Sequence, residues 1–70
     1  MSEPADLWTL KIRLSLRRAR RSADMTQDEL AATMRALGFD WVRSTVAKVE
    51  SGQRGVQAVE VVGWMMAVGR

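Results

Sequence analysis

The side chains that could do chemistry in this chain are suited to binding and poorly suited to catalysis. Its 70 residues include no cysteine and no histidine. Disulfides, thiolate or imidazole zinc sites and histidine-based general base catalysis are therefore excluded. Eight acidic residues remain, and a carboxylate enzyme would have to be built from them alone. We predict a protein that is not an enzyme, that needs no metal or other cofactor, and that works in a reducing, cytoplasmic compartment.

One short stretch, residues 44–52 with the sequence STVAKVESG, has a spacing that indicates binding. Val46 and Val49 lie three residues apart, which gives a short helix a single inner face. Gly52 is a typical helix end. Two small hydroxyl side chains stand at the front of this helix. Because no bulky group obstructs that end, the helix is suited to insertion into another molecule.

Basic residues are concentrated in the first third of the chain. The formal net charge is +3 and the isoelectric point is near 10.6. A run between positions 11 and 21 contains Lys11, Arg13, Arg17, Arg18, Arg20 and Arg21. Such a run fits a solvated helix face, and it also fits a polyanion, where each neutralised phosphate releases counterions. Charge alone does not decide between the two.

The first helix is predicted over about residues 6–22. The segment LKIRLSLR alternates like a half-buried strand, but two stripes also have helical spacing: Leu7, Leu10 and Leu14, and beside them Ile12, Leu16, Ala19 and Ala23. Two adjacent stripes predict a wide apolar face. One domain is expected over residues 6–70, after a tail at residues 1–5.

Two more helices are predicted from end signals and composition. Thr26 and Glu29 have the spacing of a capping box, which places the start of the second helix at Thr26, and Gly38 signals its end. The fourth helix, residues 57–68, is apolar almost all round. Such a helix lies inside the core or is covered by a partner. The expected fold is all-α, a compact bundle of four short helices, or five.

With the second and third helices placed, the chain resembles the helix-turn-helix DNA-binding domains of the xenobiotic-response-element (XRE) type, which include phage Cro and repressor proteins. The resemblance rests on LRRAR-x(5)-TQDELA, on STVAKVESGQR and on a last helix ending AVG, and it covers about residues 12–69. It implies a lambda-repressor-like fold whose third helix, residues 43–51, enters the major groove. It also implies a bacterial or phage regulator of transcription, a repressor, that binds double-stranded DNA at the nucleoid.

The resemblance also implies roles for individual residues. Base contacts are expected from the outward positions Arg43, Ser44, Thr45 and Lys48. Phosphate contacts are expected from Gln27, Ser51, Gln53, Arg54, Arg17 and Arg21. Arg20 and Glu50 match an ion pair that is structural in the family. Simpler alternatives stay open: Ser44 as a helix N-cap, Thr45 in a local bond to the backbone, and Lys48 as a solvated lysine.

Two features depart from the compact members of this family. More residues separate TQDELA from STV, which predicts a longer second helix or a wider loop that holds Phe39 and Trp41. Val42 stands where a serine cap is common. Asp40 or Ser44 is therefore expected to cap the third helix, which would move its start by several residues.

The fourth helix raises the question of partners. Its large side chains Trp64, Met65, Met66 and Val68 exceed what one small core covers from one side, which predicts a weak homodimer through residues 57–68. A protein-interaction module, such as an antitoxin, would use the same surface. Within one chain, Trp8 and the leucines of the first helix are an alternative cover. A membrane-binding first helix with Trp8 would leave the capping box unexplained, so no membrane partner is expected.

Overall fold

A computed structural model of the chain describes residues 4–69, without the side chains at positions 4–6 and 8. Its helices are α1 (Pro4–Ser22), α2 (Gln27–Ala36), α3 (Arg43–Ser51) and α4 (Ala58–Val68). Residues 4–69 contain no strand, which confirms the predicted all-α bundle of four helices. Positions 4 and 5 of the predicted tail already belong to α1, and positions 1–3 lie outside the described residues. No helix among those described is long and apolar enough to cross a bilayer.

Both predicted ends of α2 are confirmed. The Thr26 hydroxyl accepts a hydrogen bond from the Glu29 amide at 3.0 Å, and the Glu29 carboxylate accepts one from the Thr26 amide at 2.8 Å. At the other end, Gly38 has a φ of 103°, where a side chain would be strained. The Phe39 amide donates to the Met34 carbonyl at 3.0 Å, a bond that closes a Schellman-type helix end.

The additional residues before α3 form a loop, residues 37–42, and do not lengthen α2. The rings of Phe39 and Trp41 pack edge to face, with centroids 6.3 Å apart. The Arg35 guanidinium donates to the Trp41 carbonyl at 2.6 Å. The wider loop is therefore packed internally by its two rings and joined to α2 by Arg35.

α3 begins at Arg43, in agreement with the predicted range 43–51 and without the shift of its start expected from a different cap, although its N-cap residue Val42 has no polar side chain. The Val42 amide donates to the Thr45 hydroxyl at 3.2 Å, and the Thr45 amide donates to the Val42 carbonyl at 2.9 Å. The expectation that Asp40 or Ser44 caps this helix was wrong. The N-cap position is Val42, and its amide donates to the hydroxyl of Thr45, three residues later.

Trp64 lies at the centre of the core and is 0% exposed. Its indole N–H donates to the Leu16 carbonyl at 3.0 Å, so α4 is joined to α1. Its ring packs edge to face on Trp41 at 5.9 Å. Next to it, Gly63 lets the loop approach α4, since a Cβ at this position would lie 2.6 Å from the Phe39 ring. The buried apolar residues are Leu16, Met25, Leu30, Ala31, Met34, Trp41, Val46, Val49, Trp64 and Ala67.

Part of the surface predicted on α4 is internal. Trp64 was counted in the predicted dimer surface and is buried, and Val68 packs against the core. The reason is that a helix with apolar residues all round turns its largest ring toward the other helices. The outward face of α4 consists of Val59, Val62, Met65 and Met66, each 50–60% exposed. The alternative prediction, that Trp8 covers these α4 side chains, involves a side chain that lies outside the described part of the structure.

The wide apolar face predicted for α1 was also wrong. Only the second stripe contributes to the core, through buried Leu16 and half-buried Ala23. Leu7, Leu10 and Leu14 are 39–53% exposed, and they lie on the opposite side of the helix. α3 and α4 are both much shorter than α1, and they cover one side of it.

Candidate nucleic-acid interface

The outward side of α3 is the surface that the sequence predicts to bind DNA. At about 100° of turn per residue, its uncovered positions fall within an arc of about 140°. That arc consists of Arg43, Ala47, Ser51, Ser44 and Lys48, of which only Ala47 is partly buried. Val46 and Val49 lie away from this arc and are buried, and Glu50, about 20° from Arg43 around the helix, is also buried. The arc therefore presents two cations and no carboxylate.

Small side chains occupy the middle of this arc. Ser44, Ala47 and Ser51 separate Arg43 from Lys48 around the helix. Ala47 was missed by the sequence analysis, although its place one turn from both Arg43 and Ser51 could have identified it. Because none of the three is bulky, another molecule can approach the α3 backbone closely between the two cations.

Thr45 is not brought together with the other predicted base-reading residues. It lies about 60° beyond Lys48 around the helix axis, toward buried Val49. The residue is half-buried, and its hydroxyl accepts the Val42 amide. The local hydrogen bond considered above as an alternative is present.

The predicted ion pair between Arg20 and Glu50 is present and joins α1 to α3. Arg20 Nε lies 2.6 Å from one Glu50 carboxylate oxygen, and Arg20 Nη2 donates to the other at 3.0 Å. Arg20 Nη1 donates to the Met25 carbonyl at 2.7 Å. The side chains are only 11% and 5% exposed. This pair takes the only carboxylate of α3 off its surface.

Gln27 belongs to the same network. Its side-chain amide donates to Glu50 at 3.1 Å. An amide group has two N–H hydrogens, so one remains for the predicted phosphate contact. Asp28 and Glu29 are exposed next to Gln27, and both carboxylates disfavour a phosphate there. Gln27 is half-buried and links α2 to α3.

Arg54, predicted to contact phosphate, takes part in a second ion pair that the sequence analysis missed. Its Nη2 lies 2.9 Å from a Glu60 carboxylate oxygen, and its Nη1 donates to the Gly55 carbonyl at 2.9 Å. The guanidinium lies 5.2 Å from the centroid of the Trp41 ring. The Gln57 amide donates to Glu60 at 2.8 Å. The Q-x-x-E spacing of Gln57 and Glu60, similar to that of a capping box, could have indicated that Glu60 turns toward the start of α4.

The charges of this second pair stabilise each other. The hydrogen bond from Arg54 is the main cause that lowers the pKa of the Glu60 carboxyl, against the opposing effect of burial. The same hydrogen bond raises the pKa of Arg54 above its ordinary value. The Arg54 side chain is 37% exposed, compared with 9% for Glu60. Arg54 is therefore fixed in place but remains accessible from one side.

The other predicted phosphate contacts lie in two places. Gln53 is exposed just after α3, and the Ser51 hydroxyl donates to the Lys48 carbonyl at 3.2 Å. Arg17 and Arg21 are exposed on α1. Around the helix axis they are rotated by about 60° and 100°, respectively, from Arg20, which meets α3. The structure thus groups Ser51 and Gln53 with the arc of α3, and it separates Arg21 from that arc.

Among the described residues, no group of three or more acidic side chains is placed to hold a metal ion. A scan against known protein families, a search of curated proteins and a search of solved structures each found no match to this chain. The residues of the site itself are therefore the basis for inferring function.

Proposed function

We propose that this chain is an XRE-type helix-turn-helix protein that binds double-stranded DNA at specific sequences and represses transcription. The observation that supports this function best is the outward arc of α3, with Arg43 and Lys48, small residues between them and no carboxylate. An α-helix fits the major groove, where base edges are distinguishable. The proposal requires no cofactor, and it places the protein in the cytoplasm at the nucleoid.

The removal of Glu50 from the surface supports binding to a polyanion. Duplex DNA carries about one negative charge per 1.7 Å of its axis. A carboxylate on the arc of α3 would be repelled at every approach. Glu50 is instead buried against Arg20 and hydrogen-bonded by Gln27. The outward potential of α3 is then set by its two cations.

We assign base contacts to Arg43, Ser44 and Lys48. An arginine can donate two hydrogen bonds to the O6 and N7 atoms of a guanine, and a serine or lysine reaches base edges or phosphates nearby. Thr45 keeps its bond to the Val42 amide, and we assign it to orienting the front of α3. Base recognition therefore rests on three of the four residues expected from the sequence.

Phosphate contacts are assigned on both sides of α3. Gln53 and Ser51 lie at its C-terminal end, and Gln27 offers its second amide hydrogen at the start of α2, a contact that the neighbouring carboxylates of Asp28 and Glu29 weaken. Arg54 is proposed to act mainly by holding the segment that presents Gln53, through its bonds to Glu60 and the Gly55 carbonyl. Such contacts fix the register of the protein on the duplex and do not read sequence.

A weak homodimer through α4 completes the proposal. One helix contacts only a few base pairs, too few for a unique site among ~10⁶ or more competing sites. Two-fold dimers place two such helices one DNA turn, ~34 Å, apart. The exposed Val59, Val62, Met65 and Met66 carry no charge that opposes association. Beside them a groove of about 230 Å³ is lined by Leu37, Phe39, Val59, Val62, Gly63 and Met66.

The same uncharged face supports a second candidate function, an antitoxin-like module that covers a different protein. The two functions differ in what they need from α3. A pure interaction module does not require the basic arc, whereas a regulator does. A DNA-binding antitoxin would use both surfaces, so binding to DNA is the property to measure first.

Selection from a random duplex library tests the proposed function directly. The expected result is an enriched consensus with two related half-sites one turn apart, bound more weakly as salt is raised. The matched control is the Arg43→Ala/Lys48→Ala variant carried through the same selection, which should lose the consensus. A parent protein that enriches no sequence above the starting library would contradict the proposal.

A further inference from the structure

A stripe along the outward side of α1 has the spacing of a coiled-coil seam. Leu7, Leu10, Leu14, Arg17 and Arg21 follow one another at intervals of three and four residues, the alternation of a and d positions in a heptad. The three leucines are 39–53% exposed, and both arginines are exposed. None of the five is covered by α3 or α4, which pack on the other side.

The basic end of this seam forms a depression. A groove of about 410 Å³ is lined by Leu14, Arg17, Arg18, Arg21 and Ser22. The first four have the spacing i, i+3, i+4 and i+7. Four residues in this arrangement make the hole that receives one side chain from a facing helix in knobs-into-holes packing. The shape of the surface therefore matches a helix.

The charges of the groove differ from the paired arginines. Arg20 and Arg54 each hold a glutamate. Among the side chains that the structure describes, by contrast, no carboxylate forms an ion pair with Arg17, Arg18 or Arg21. All three lie in the last two turns of α1. Their positive charge faces outward at the end of an apolar stripe, where it attracts carboxylates.

We propose that this seam docks an acidic amphipathic α-helix of a partner protein. Apolar residues at the a and d positions of that helix contact Leu7, Leu10 and Leu14. Glutamates or aspartates at its other end pair with the arginines. The interaction goes beyond DNA binding and uses a different surface, so each can fail without the other.

Two other occupants fit the seam less well. The first is a membrane surface. A helix that lies on a membrane has cations on both flanks of its apolar stripe, along its whole length. Here Arg17 and Arg21 instead continue the line of the leucines at one end. A second copy of α1 in parallel would set Arg17 against Arg17. In antiparallel order the leucines of the two copies would match, and the arginines of each copy would extend beyond the leucines of the other, so self-association is measured separately in the test. Charge complementarity therefore favours an acidic helix.

The test uses the full chain and synthetic helical peptides of about three heptads. Each peptide has leucine at a and d in one half, with glutamate at a, d, e and g in the other half. One peptide has the leucine half at its N-terminus and the other has it at its C-terminus. In the charge control of each peptide, every glutamate is replaced by lysine. We expect the better glutamate peptide to bind at least about tenfold more tightly than its lysine version. Fluorescence anisotropy measures both affinities.

Charge exchange makes the assignment specific. The Arg17→Glu/Arg21→Glu variant should prefer the lysine peptide, and Leu10→Ser should weaken both peptides. A matched control, Arg43→Glu/Lys48→Glu, makes the same change of charge on α3 and should keep the preference for glutamate. Circular dichroism checks that each variant is folded. If the first variant does not fold, Arg17→Gln/Arg21→Gln should remove the preference without reversing it.

Four results would overturn the proposal. One is equal binding of the glutamate and lysine peptides. A second is tighter binding to vesicles of equal parts phosphatidylglycerol and phosphatidylcholine than to any peptide, lost in Leu10→Ser. A third is self-association in sedimentation that Leu10→Ser abolishes. The fourth is loss of duplex affinity in Arg17→Glu/Arg21→Glu with an unchanged peptide preference, which would assign these arginines to phosphates.

Discussion

α3 and α4 each contain a single glutamate, and in both helices an arginine holds it on the inner side. Glu50 is paired with Arg20, and Glu60 with Arg54. The surfaces left outside differ: α3 presents small residues and two cations, whereas the outward residues of α4 are entirely apolar. The same internal arrangement thus produces one surface suited to a polyanion and another suited to an apolar partner.

The two ion pairs are not equivalent in what they hold together. Arg20 lies 30 residues from Glu50 in sequence and joins two helices, with both side chains nearly inaccessible. Arg54 lies six residues from Glu60 and braces the segment between α3 and α4, with about a third of its side chain exposed. Burial decides how much an unpaired arginine costs, because an exposed guanidinium can be hydrated in place of its partner.

The largest expected effect tests that difference in stability. Glu50→Ala strands Arg20 in a nearly dry site and should lower the free energy of unfolding by about 3–5 kcal/mol. The matched change Glu60→Ala should cost clearly less, since water reaches Arg54. Urea unfolding of both variants without DNA measures the two values. If both variants lose the same free energy of unfolding, burial does not distinguish the two ion pairs.

A smaller effect tests what the arc of α3 does. Arg43→Ala and Lys48→Ala should each weaken binding to the selected DNA site by about 1–3 kcal/mol, because a base contact is lost. Binding to a scrambled duplex at the same salt concentration should fall much less. Equal losses on the two duplexes would assign both residues to phosphates and leave α3 without its proposed base contacts.

The apolar face of α4 can be tested in the same way. Val62→Glu places a charge at a position that is 58% exposed, so folding should be little affected. Dimerisation should weaken by about tenfold or more, because the charge would lose its hydration in the interface. Ala32→Glu, at an exposed position of α2, is the matched control. Sedimentation that shows an unchanged monomer–dimer equilibrium in Val62→Glu would place the interface elsewhere.

The smallest effect comes from pH. Because Arg54 lowers the pKa of Glu60 in the folded protein, this pair contributes stability above the ordinary glutamate pKa of about 4.3. That contribution is lost as the pH falls through the lowered folded pKa. Glu60→Gln should therefore lose less stability between neutral and acidic pH than the parent does. The urea midpoints of both proteins at neutral and at acidic pH measure this difference. If stability falls equally with pH in the two proteins, Glu60 is not the group responsible.

The sequence predicted best where the signal was local. The capping box of α2, its Gly38 end and the Gly52 end of α3 all depend on neighbouring residues, and they are confirmed. Orientation was harder to predict. A helix with two apolar stripes, such as α1, does not reveal which one the rest of the chain covers, and in α4 periodicity could not show that Trp64 turns inward.

The candidate site shows the same limit. Outward positions on α3 followed from its buried valines, so Arg43, Ser44 and Lys48 were placed correctly on the surface. Thr45 was expected among the base-reading residues and is half-buried, with its hydroxyl accepting the Val42 amide, whereas Ala47 lies within the arc and was not predicted. Arg54 was predicted as a phosphate contact because the spacing of Gln57 and Glu60 indicates a helix start but does not specify the loop conformation that brings Arg54 to Glu60.

The hydrogen bond from Trp64 to the Leu16 carbonyl has a consequence for synthesis on the ribosome. The two residues are 48 positions apart, and at 5–20 residues per second the second follows the first by ~2–10 s. During that interval α1 has no α4 to pack on, so its apolar positions on both sides stay open to other nascent chains. The contact between α1 and α4 can form only after α4 emerges, so α1 is the helix that waits longest for its partner.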